Sequence, residues 1–320
     1  MSAVKKGSEA VGVVTEERAL LGIGGGKDSI VAMELLRNFE TKSFLVETQR
    51  RDPVSEKIIS LLGNPAVKIQ RILDPKIFEK HEGAYNGHIP ISAIFAFTGL
   101  LTAALQKAKY VVVANEHSSN FGNLRWRGET INHQWSKSAE FEKMFQDYTR
   151  KFITPDVTYF SLLRQFDEIR VAEMFAKHKK YFAHFSSCNR NFRVAKERNG
   201  ALWCGECAKC AFVFLMLAPF VAKKDLVKIF GKNLLADATL VPMYRDLLGF
   251  GKLKPFDCVG TFEESRAALF LVAKKFAGDA VVKNFLAKVR EDRGVFRTYF
   301  APTLPSQFRF AGVKSVAILG

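Results

Sequence analysis

The chain lacks any apolar run long enough to cross a bilayer, for which about 20 residues are required. Its longest such run, Ala211 to Ala222, falls short and contains Pro219, so it reads as a buried helix. The opening residues Met1 to Thr15 carry lysines but no apolar core of the kind a secretory signal needs. No membrane span and a cytoplasmic location are therefore expected. Cysteine is scarce, at five residues, and without a secretory signal these thiols point to the reducing cytosol, where a cluster suggests metal more than disulfides. Nor is there a run of five or more basic residues. The 48 Lys and Arg against 32 Asp and Glu give a formal charge of +16, but the excess is scattered in pairs such as Lys179-Lys180, Lys223-Lys224 and Lys274-Lys275. That pattern reads as a solvated surface, and no nucleic-acid partner is expected from it. Internal repeats, low-complexity stretches and flexible linkers are absent too. What remains is a chain of 320 residues, 48% hydrophobic and 25% charged. It is long enough for one large α/β domain with a smaller one appended, at roughly 100–200 residues each.

The most informative stretch is Ala19-Leu-Leu-Gly-Ile-Gly-Gly-Gly-Lys-Asp-Ser-Ile30. Ala19 to Ile23 reads as a short buried strand. Three glycines then form a turn whose backbone can approach a ligand closely, because no Cβ intervenes. From Asp28 to Asn38 the apolar residues Ile30, Val31, Met33, Leu35 and Leu36 recur at helical spacing. A strand, a glycine turn and a helix start together make an anion site. The spelling excludes two relatives of this motif. A Walker loop needs a hydroxyl after the lysine, where Asp28 stands, and a dinucleotide fingerprint starting at Gly22 would need its third glycine at Lys27. Gly25-Gly26-Lys27-Asp28-Ser29 instead resembles the S-G-G-x-D-S loop of the N-type ATP pyrophosphatases, with Gly24 in place of the leading serine. That resemblance implies cleavage of ATP between the α- and β-phosphates.

The rest of the chain alternates. Lys42 to Thr48 reads as a second strand, Val54 to Leu62 as a helix ending at Gly63-Asn64-Pro65, and Val67 to Leu73 as a third strand. Gly87-His88-Ile89-Pro90 leads into a long apolar helix, Ile91 to Lys107, with His88 capping or packing at its start and proline in the first turn. Tyr110 to Ala114 is a buried strand. Strands alternating with helices predict a parallel sheet of five or more strands, Rossmann-like, with helices on both faces and ligands beyond the C-terminal strand ends. The glycine loop lies at one such end. Asn115 to Ser138 lies at another, a polar stretch rich in Asn, His, Ser and Arg that reads as a binding loop, with Ser136 or Ser138 capping a helix over Ala139 to Lys151. Beyond it, Thr158 to Leu163 reads as a strand, Asp167 to His178 as an amphipathic helix, and Tyr181 to Ser186 as a strand. The expected domains are 1–185, an ATP-binding α/β unit, and 186–320, a cysteine knuckle followed by a mostly helical substrate-binding part.

Cys188, Cys204, Cys207 and Cys210 have the spacing C-x15-C-x2-C-x2-C. Two-residue spacers let successive thiolates face one tetrahedral ion, and four of them close its shell, the pattern of a structural Zn²⁺ site. An iron–sulfur cluster is the rival, although the bacterial ferredoxin run would need a cysteine where Phe214 stands. Buried free thiols are the third reading.

A phosphate loop followed by a four-cysteine knuckle looks like the 7-cyano-7-deazaguanine synthases. The wider wording resembles another family more closely. Gly24 to Ser29, Ala114 to Asn123, Asn132 to Ser138, Ser187-Cys-Asn-Arg190, Trp203 to Phe212 and Lys254-Pro-Phe-Asp-Cys-Val-Gly260 are similar to the UDP-N-acetylmuramoyl-L-alanyl-L-glutamate epimerases, with Asp257 where glutamate is expected. The likeness runs from about Ala19 to Ser265. Many members of that family carry a further N-terminal region, whereas a short lead-in precedes the loop in this sequence. The resemblance implies ATP-dependent inversion of the terminal glutamate through an acyl-adenylate, with AMP and pyrophosphate released. It implies a UDP-muramoyl peptide as substrate, ATP, Mg²⁺ and structural Zn²⁺ as cofactors, and a role in peptidoglycan precursor synthesis.

On this reading Gly24, Gly25, Gly26, Lys27 and Ser29 grip the leaving pyrophosphate and Asp28 holds Mg²⁺, with Glu47 at the end of the second strand also on the nucleotide side. Inversion needs proton donors or acceptors on two faces of the α-carbon. Glu116, His117, His133 and Cys258 are the candidates, each in a motif loop, although Cys258 could equally be a packed core thiol. A tRNA-modifying enzyme, a carboxylate-to-nitrile synthase and a catalytically silent nucleotide-binding module are the competing readings.

Overall fold

Apolar, β-branched segments separated by helix-length crossovers form a parallel sheet, as the alternation requires. The structure is a computed structural model and describes residues 9–48, 51–79, 82–83, 89–190, 200–251 and 254–291. His88, residues 1–8 of the lead-in and residues 292–320 of the expected second domain lie outside them. The elements in chain order are β1 (Glu16–Gly22), α1 (Lys27–Leu35), β2 (Thr41–Thr48), α2 (Pro53–Leu62), β3 (Ala66–Arg71), α3 (Ile91–Leu105), β4 (Ala108–Val113), β5 (Leu124–Trp126), β6 (Glu129–Ile131), α4 (Ala139–Phe152), β7 (Thr158–Ser161), α5 (Glu168–Ala176), α6 (Ala208–Leu217), α7 (Lys223–Phe230), α8 (Val241–Leu247), α9 (Phe262–Val272) and α10 (Ala280–Glu291).

The main sheet has the order β3-β2-β1-β4-β7, all pairs parallel. Register is set by pairs such as Leu20 with Lys42 and Leu20 with Val111. Strand order reverses between β1 and β4, and a ligand crevice opens at such a switch beyond the carboxyl ends. The glycine loop follows β1 there, and the Asn115–Ser138 segment follows β4. Ala19, Leu20 and Leu21 are all buried because both faces of the sheet are covered. On one face α3 and α4 enclose a small core of Leu20, Phe44, Leu100, Val111, Phe141 and Phe145. On the other, α1, α2 and α5 share a larger core that continues without a break into the C-terminal helices, from Ala19 to Val289.

The run beginning at Ala211 is helical, and every residue of α6 from Ala208 to Leu217 is buried. It forms the axis of the C-terminal part, packed by α5, α8 and α9. Ser138, not Ser136, caps α4, its Oγ accepting from the Phe141 amide at 3.2 Å. Two expectations need correction. Tyr181 to Ser186 is not a strand: the chain turns at Lys179–Tyr181 and again through local bonds from the His184 and Phe185 amides to the Tyr181 carbonyl. Packing overrides β-propensity here, since the Phe185 ring lies tilted against Phe175 and edge-on to Trp203, at centroid distances of 4.5 and 5.1 Å, and the Tyr181 hydroxyl donates to Glu34 at 2.5 Å. The Asn115–Ser138 segment is also more ordered than a plain loop. It contains the antiparallel hairpin β5–β6, whose turn residues Arg127 and Gly128 both have positive φ, 49° and 87°, the conformation that matches strand twist in a two-residue hairpin.

Candidate active site

The glycine loop is shaped by close backbone approach. Gly25 has φ +73°, and a Cβ on it would lie 2.8 Å from Val54 Cγ1 and 3.1 Å from Ser55 Oγ. Gly24 meets open space and is exposed. Gly26 caps α1 without a side-chain bond, so the first amides of that helix lack an internal partner and suit an anion. Lys27 and Ser29 turn inward. Ser29 Oγ donates to the Gly26 carbonyl at 3.1 Å. Lys27 is 1% exposed and pairs with both Asp28 and the equally buried Glu168. Burial disfavours its charge, but the Asp28 and Glu168 carboxylates outweigh that and hold the ammonium protonated well above the usual lysine range. Asp28 is held below the usual carboxylate range, burial being outweighed by Lys27 and Lys209. Glu47, half-buried at the end of β2, accepts from the Asp52 amide at 2.9 Å, and Asp52 in turn caps α2.

A second group of residues assembles from segments far apart in sequence. Lys137 Nζ donates to Cys258 Sγ at 3.3 Å. Lys209, in the first turn of α6, donates to the Cys258 carbonyl and stands 3.9 Å from Glu168. Burial pushes the Cys258 thiol up, but the Lys137 ammonium, a hydrogen bond from His133 and the Lys209 charge bring it down to about 6. A thiolate is therefore the ordinary form near neutrality. His133 Nδ1 pairs with Asn123 Oδ1, and its ring meets Phe256 edge-on at 6.0 Å. Asn123 Nδ2 donates to the Pro255 carbonyl at 3.0 Å, and Asn189 donates to Asp257. Arg164 clamps both ends of the Asn115–Ser138 segment, donating to the Glu116 carbonyl at 3.2 Å and the Lys137 carbonyl at 2.6 Å while pairing with Glu142 at 3.0 Å.

The structure thus brings Cys258, His133 and Lys137 together. Glu116 lies close enough that its charge acts on Lys137, Glu168, Lys254 and Glu264. His117 stands apart: it is exposed, its ring edge lies against Phe121 at 5.5 Å, and its charge acts on Asp167. Sequence reasoning missed Lys137, Arg164, Glu168, Lys209, Lys254 and Glu264. Three of these lysines sit inside motif stretches that were already informative, which was the available signal. Glu168 opens an ordinary amphipathic helix and gave none. Glu264, buried and receiving the Glu168 amide at 2.6 Å, is pushed up to about 8 by burial and by the Glu168 charge.

The four cysteine sulfurs all lie within 4.8 Å of one another. Cys188–Cys207, Cys204–Cys210 and Cys207–Cys210 measure 3.9, 3.7 and 3.5 Å. A tetrahedral ion with sulfur bonds of about 2.3 Å sets its ligands about 3.8 Å apart, so these thiols can hold one metal ion. Cys207 is the N-cap of α6 and Cys210 lies in its first turn, so the start of that helix carries two of the four sulfurs.

The parallel sheet and the glycine loop at the end of its first strand define an α/β protein with a phosphate-type turn. Residues 2–162 match the family model for the MurL N-terminal domain, and residues 184–297 match that for the MurL C-terminal domain. The chain belongs to the MurL family. A relative from Xanthomonas oryzae pv. oryzae, named UDP-N-acetyl-alpha-D-muramoyl-L-alanyl-L-glutamate epimerase, is 46% identical over 279 residues, 85% of this chain and 61% of that protein. A relative of the same name from Salinispora tropica is 41% identical over 263 residues, 81% of this chain and 56% of that protein. The chain therefore spans 56–61% of the length of these relatives. Among solved structures, the U34-tRNA thiolase NcsA from Methanococcus maripaludis with its [4Fe-4S] cluster is 10% identical, covering 51% of this chain and 57% of its own with a TM-score of 0.34. The NMN synthetase of Francisella tularensis is 16% identical, covering 33% and 48%, with a TM-score of 0.25. Likeness at that level carries no argument about chemistry. Among the described residues no helix is long and apolar enough to cross a membrane.

Proposed function

We propose that the chain epimerises the terminal L-glutamate of UDP-N-acetylmuramoyl-L-alanyl-L-glutamate to D-glutamate, using ATP. The observation that carries this reading is the thiolate of Cys258, held by Lys137, an ammonium whose charge also acts on Asp28 of the glycine loop. Membership of the MurL family and the names of its relatives supply the substrate. In this reading residues 1–185 bind ATP and residues 186–320 contribute the substrate side.

The α-hydrogen beside a free carboxylate is a very weak acid, because its removal would place a second negative charge next to the first. In the first step a carboxylate oxygen of the substrate attacks the α-phosphorus of ATP, the bond to the bridging oxygen breaks and pyrophosphate leaves. The amides of Gly24 to Gly26 and the positive end of α1 stabilise that departing charge. Lys27 shapes the loop from below through Glu168, and Asp28 is the hard-oxygen residue that would hold Mg²⁺, whose charge would neutralise the phosphates. In the second step the Cys258 thiolate takes the α-proton, and the electron pair moves onto the acyl oxygen as an enolate. A proton returned to the opposite face by Glu116 or His133, the remaining candidates, inverts the centre. Water then cleaves the acyl-phosphate bond and releases AMP. Zn²⁺ on Cys188, Cys204, Cys207 and Cys210 would fix the start of α6, and with it Lys209.

The test is incubation of the protein with ATP, Mg²⁺ and the L-glutamyl substrate, measuring AMP, D-glutamate in the product and deuterium uptake from D2O. Wild-type protein is expected to give all three. Cys258→Ser is expected to keep AMP formation while losing most deuterium uptake. Absence of AMP from the wild-type reaction would refute the activation chemistry, and undiminished uptake in Cys258→Ser would refute the base.

A further inference from the structure

Four lysines, Lys27, Lys137, Lys209 and Lys254, act on Asp28 or Cys258, and three have contact partners. Lys27 pairs with Asp28 and Glu168, Lys137 with Cys258 Sγ, and Lys209 with the Cys258 carbonyl and Glu168. Lys254 differs. It is 5% exposed, yet among the described residues its ammonium has no hydrogen-bond or ion-pair partner. Glu264, Glu116, Glu263 and Cys258 act on it only at longer range, and burial pulls its proton affinity below the usual lysine range. A largely buried ammonium without a contact partner is costly, and since its Nζ is not among the fully enclosed atoms that lack a partner it stays open to an anion from outside.

The segment that follows Lys254 is braced. Pro255, Asp257 and Cys258 are held by Asn123, Asn189 and Lys209 respectively. The class of anion follows from the donor count. A phosphate or pyrophosphate calls for several converging donors, such as the amides of the glycine loop. A single buried ammonium suits a single carboxylate. Lys254 is also four residues from Cys258 on the same braced segment, and a glutamyl residue carries its second carboxylate two methylenes from the carbon that Cys258 would deprotonate.

We propose that Lys254 receives the free side-chain carboxylate of the glutamyl residue, so that the other carboxylate alone is presented to the glycine loop for activation. This rests on the epimerase reading above. It makes Lys254 the residue that distinguishes glutamate from glutamine, and a binding group, not a proton carrier.

The experiment compares the wild type, Lys254→Met and Lys254→Arg with the L-glutamyl substrate and its L-glutaminyl counterpart, which retains the carboxylate to be activated. AMP release and deuterium uptake are both followed. Wild type is expected to favour the glutamyl substrate. Lys254→Met is expected to lose on the order of 100-fold in kcat/KM for it, mostly through KM, as removal of one partner of a buried charge pair does. Its activity with the glutaminyl substrate should be unchanged or higher, and Lys254→Arg should retain part of the preference. Lys254→Gln replaces the methionine variant if that variant does not fold. An unaltered preference in Lys254→Met overturns the assignment. So does loss of deuterium uptake with both substrates while AMP release persists, which would make Lys254 a proton carrier. A wild type that releases no AMP with either substrate overturns the epimerase reading, and this assignment with it.

Discussion

Cys258 owes its chemistry to neighbours rather than to its own position. Burial alone would make it a poor base, and the Lys137 ammonium, His133 and Lys209 reverse that to give a value of about 6. If the thiolate takes the proton, deuterium uptake should rise with pH through about 6 and level off above it, because the deprotonated form is active. In Lys137→Met the largest opposing charge is gone while His133 and Lys209 remain. The rise is then expected to move alkaline, toward the ordinary cysteine value of about 8.5, so that the variant is weak at neutral pH and recovers in base. A profile that stays near pH 6 in this variant would remove Lys137 from the role. At this scale the sequence exposed the sulfur and His133 but not the lysines, since a lysine within a motif looks like any solvated lysine until its surroundings are known.

Among the elements, the glycine loop and the cysteine knuckle were the most legible. Both rest on local rules: glycine at a left-handed position, and thiols two residues apart facing one ion. Gly25→Ala would place a Cβ 2.8 Å from Val54 at φ +73°, a strain of about 1–2 kcal/mol from the backbone alone. A lowered melting temperature and weakened ATP binding are expected, and retention of both would show that the loop has more slack than its contacts suggest. For the knuckle, a strong chelator is expected to release zinc, lower the unfolding temperature and reduce deuterium uptake, because Cys207 and Cys210 fix the start of α6, which carries Lys209. Metal analysis of the purified protein and thermal unfolding before and after chelation check this. The Tyr181–Ser186 stretch was misread for a reason at the same scale. Its aromatic, β-prone composition serves burial against Phe175 and Trp203, and propensity is weak against packing.

Across the molecule, the candidate catalytic groups depend on one core. The cluster running from Ala19 to Val289 joins the sheet to the C-terminal helices, with α6 buried along its whole length at the centre. Phe214, fully buried and packed edge-to-face with Phe230 at 5.2 Å and Phe276 at 6.3 Å between ring centroids, has no room for loss. Phe214→Ala is expected to cost about 3–5 kcal/mol in denaturant unfolding, and a loss of less than about 1 kcal/mol would mean that the surrounding helices collapse onto the gap. The sequence by itself determined the parallel sheet, the phosphate-type turn, the buried central helix and the four-thiol cluster, because each follows from periodicity or from residues a few positions apart. Only the tertiary structure decided which charges surround Cys258. Lys137 and Cys258 are 121 residues apart in the chain, and their interaction depends on separation and burial in space, for which no local pattern in the sequence carries a sign.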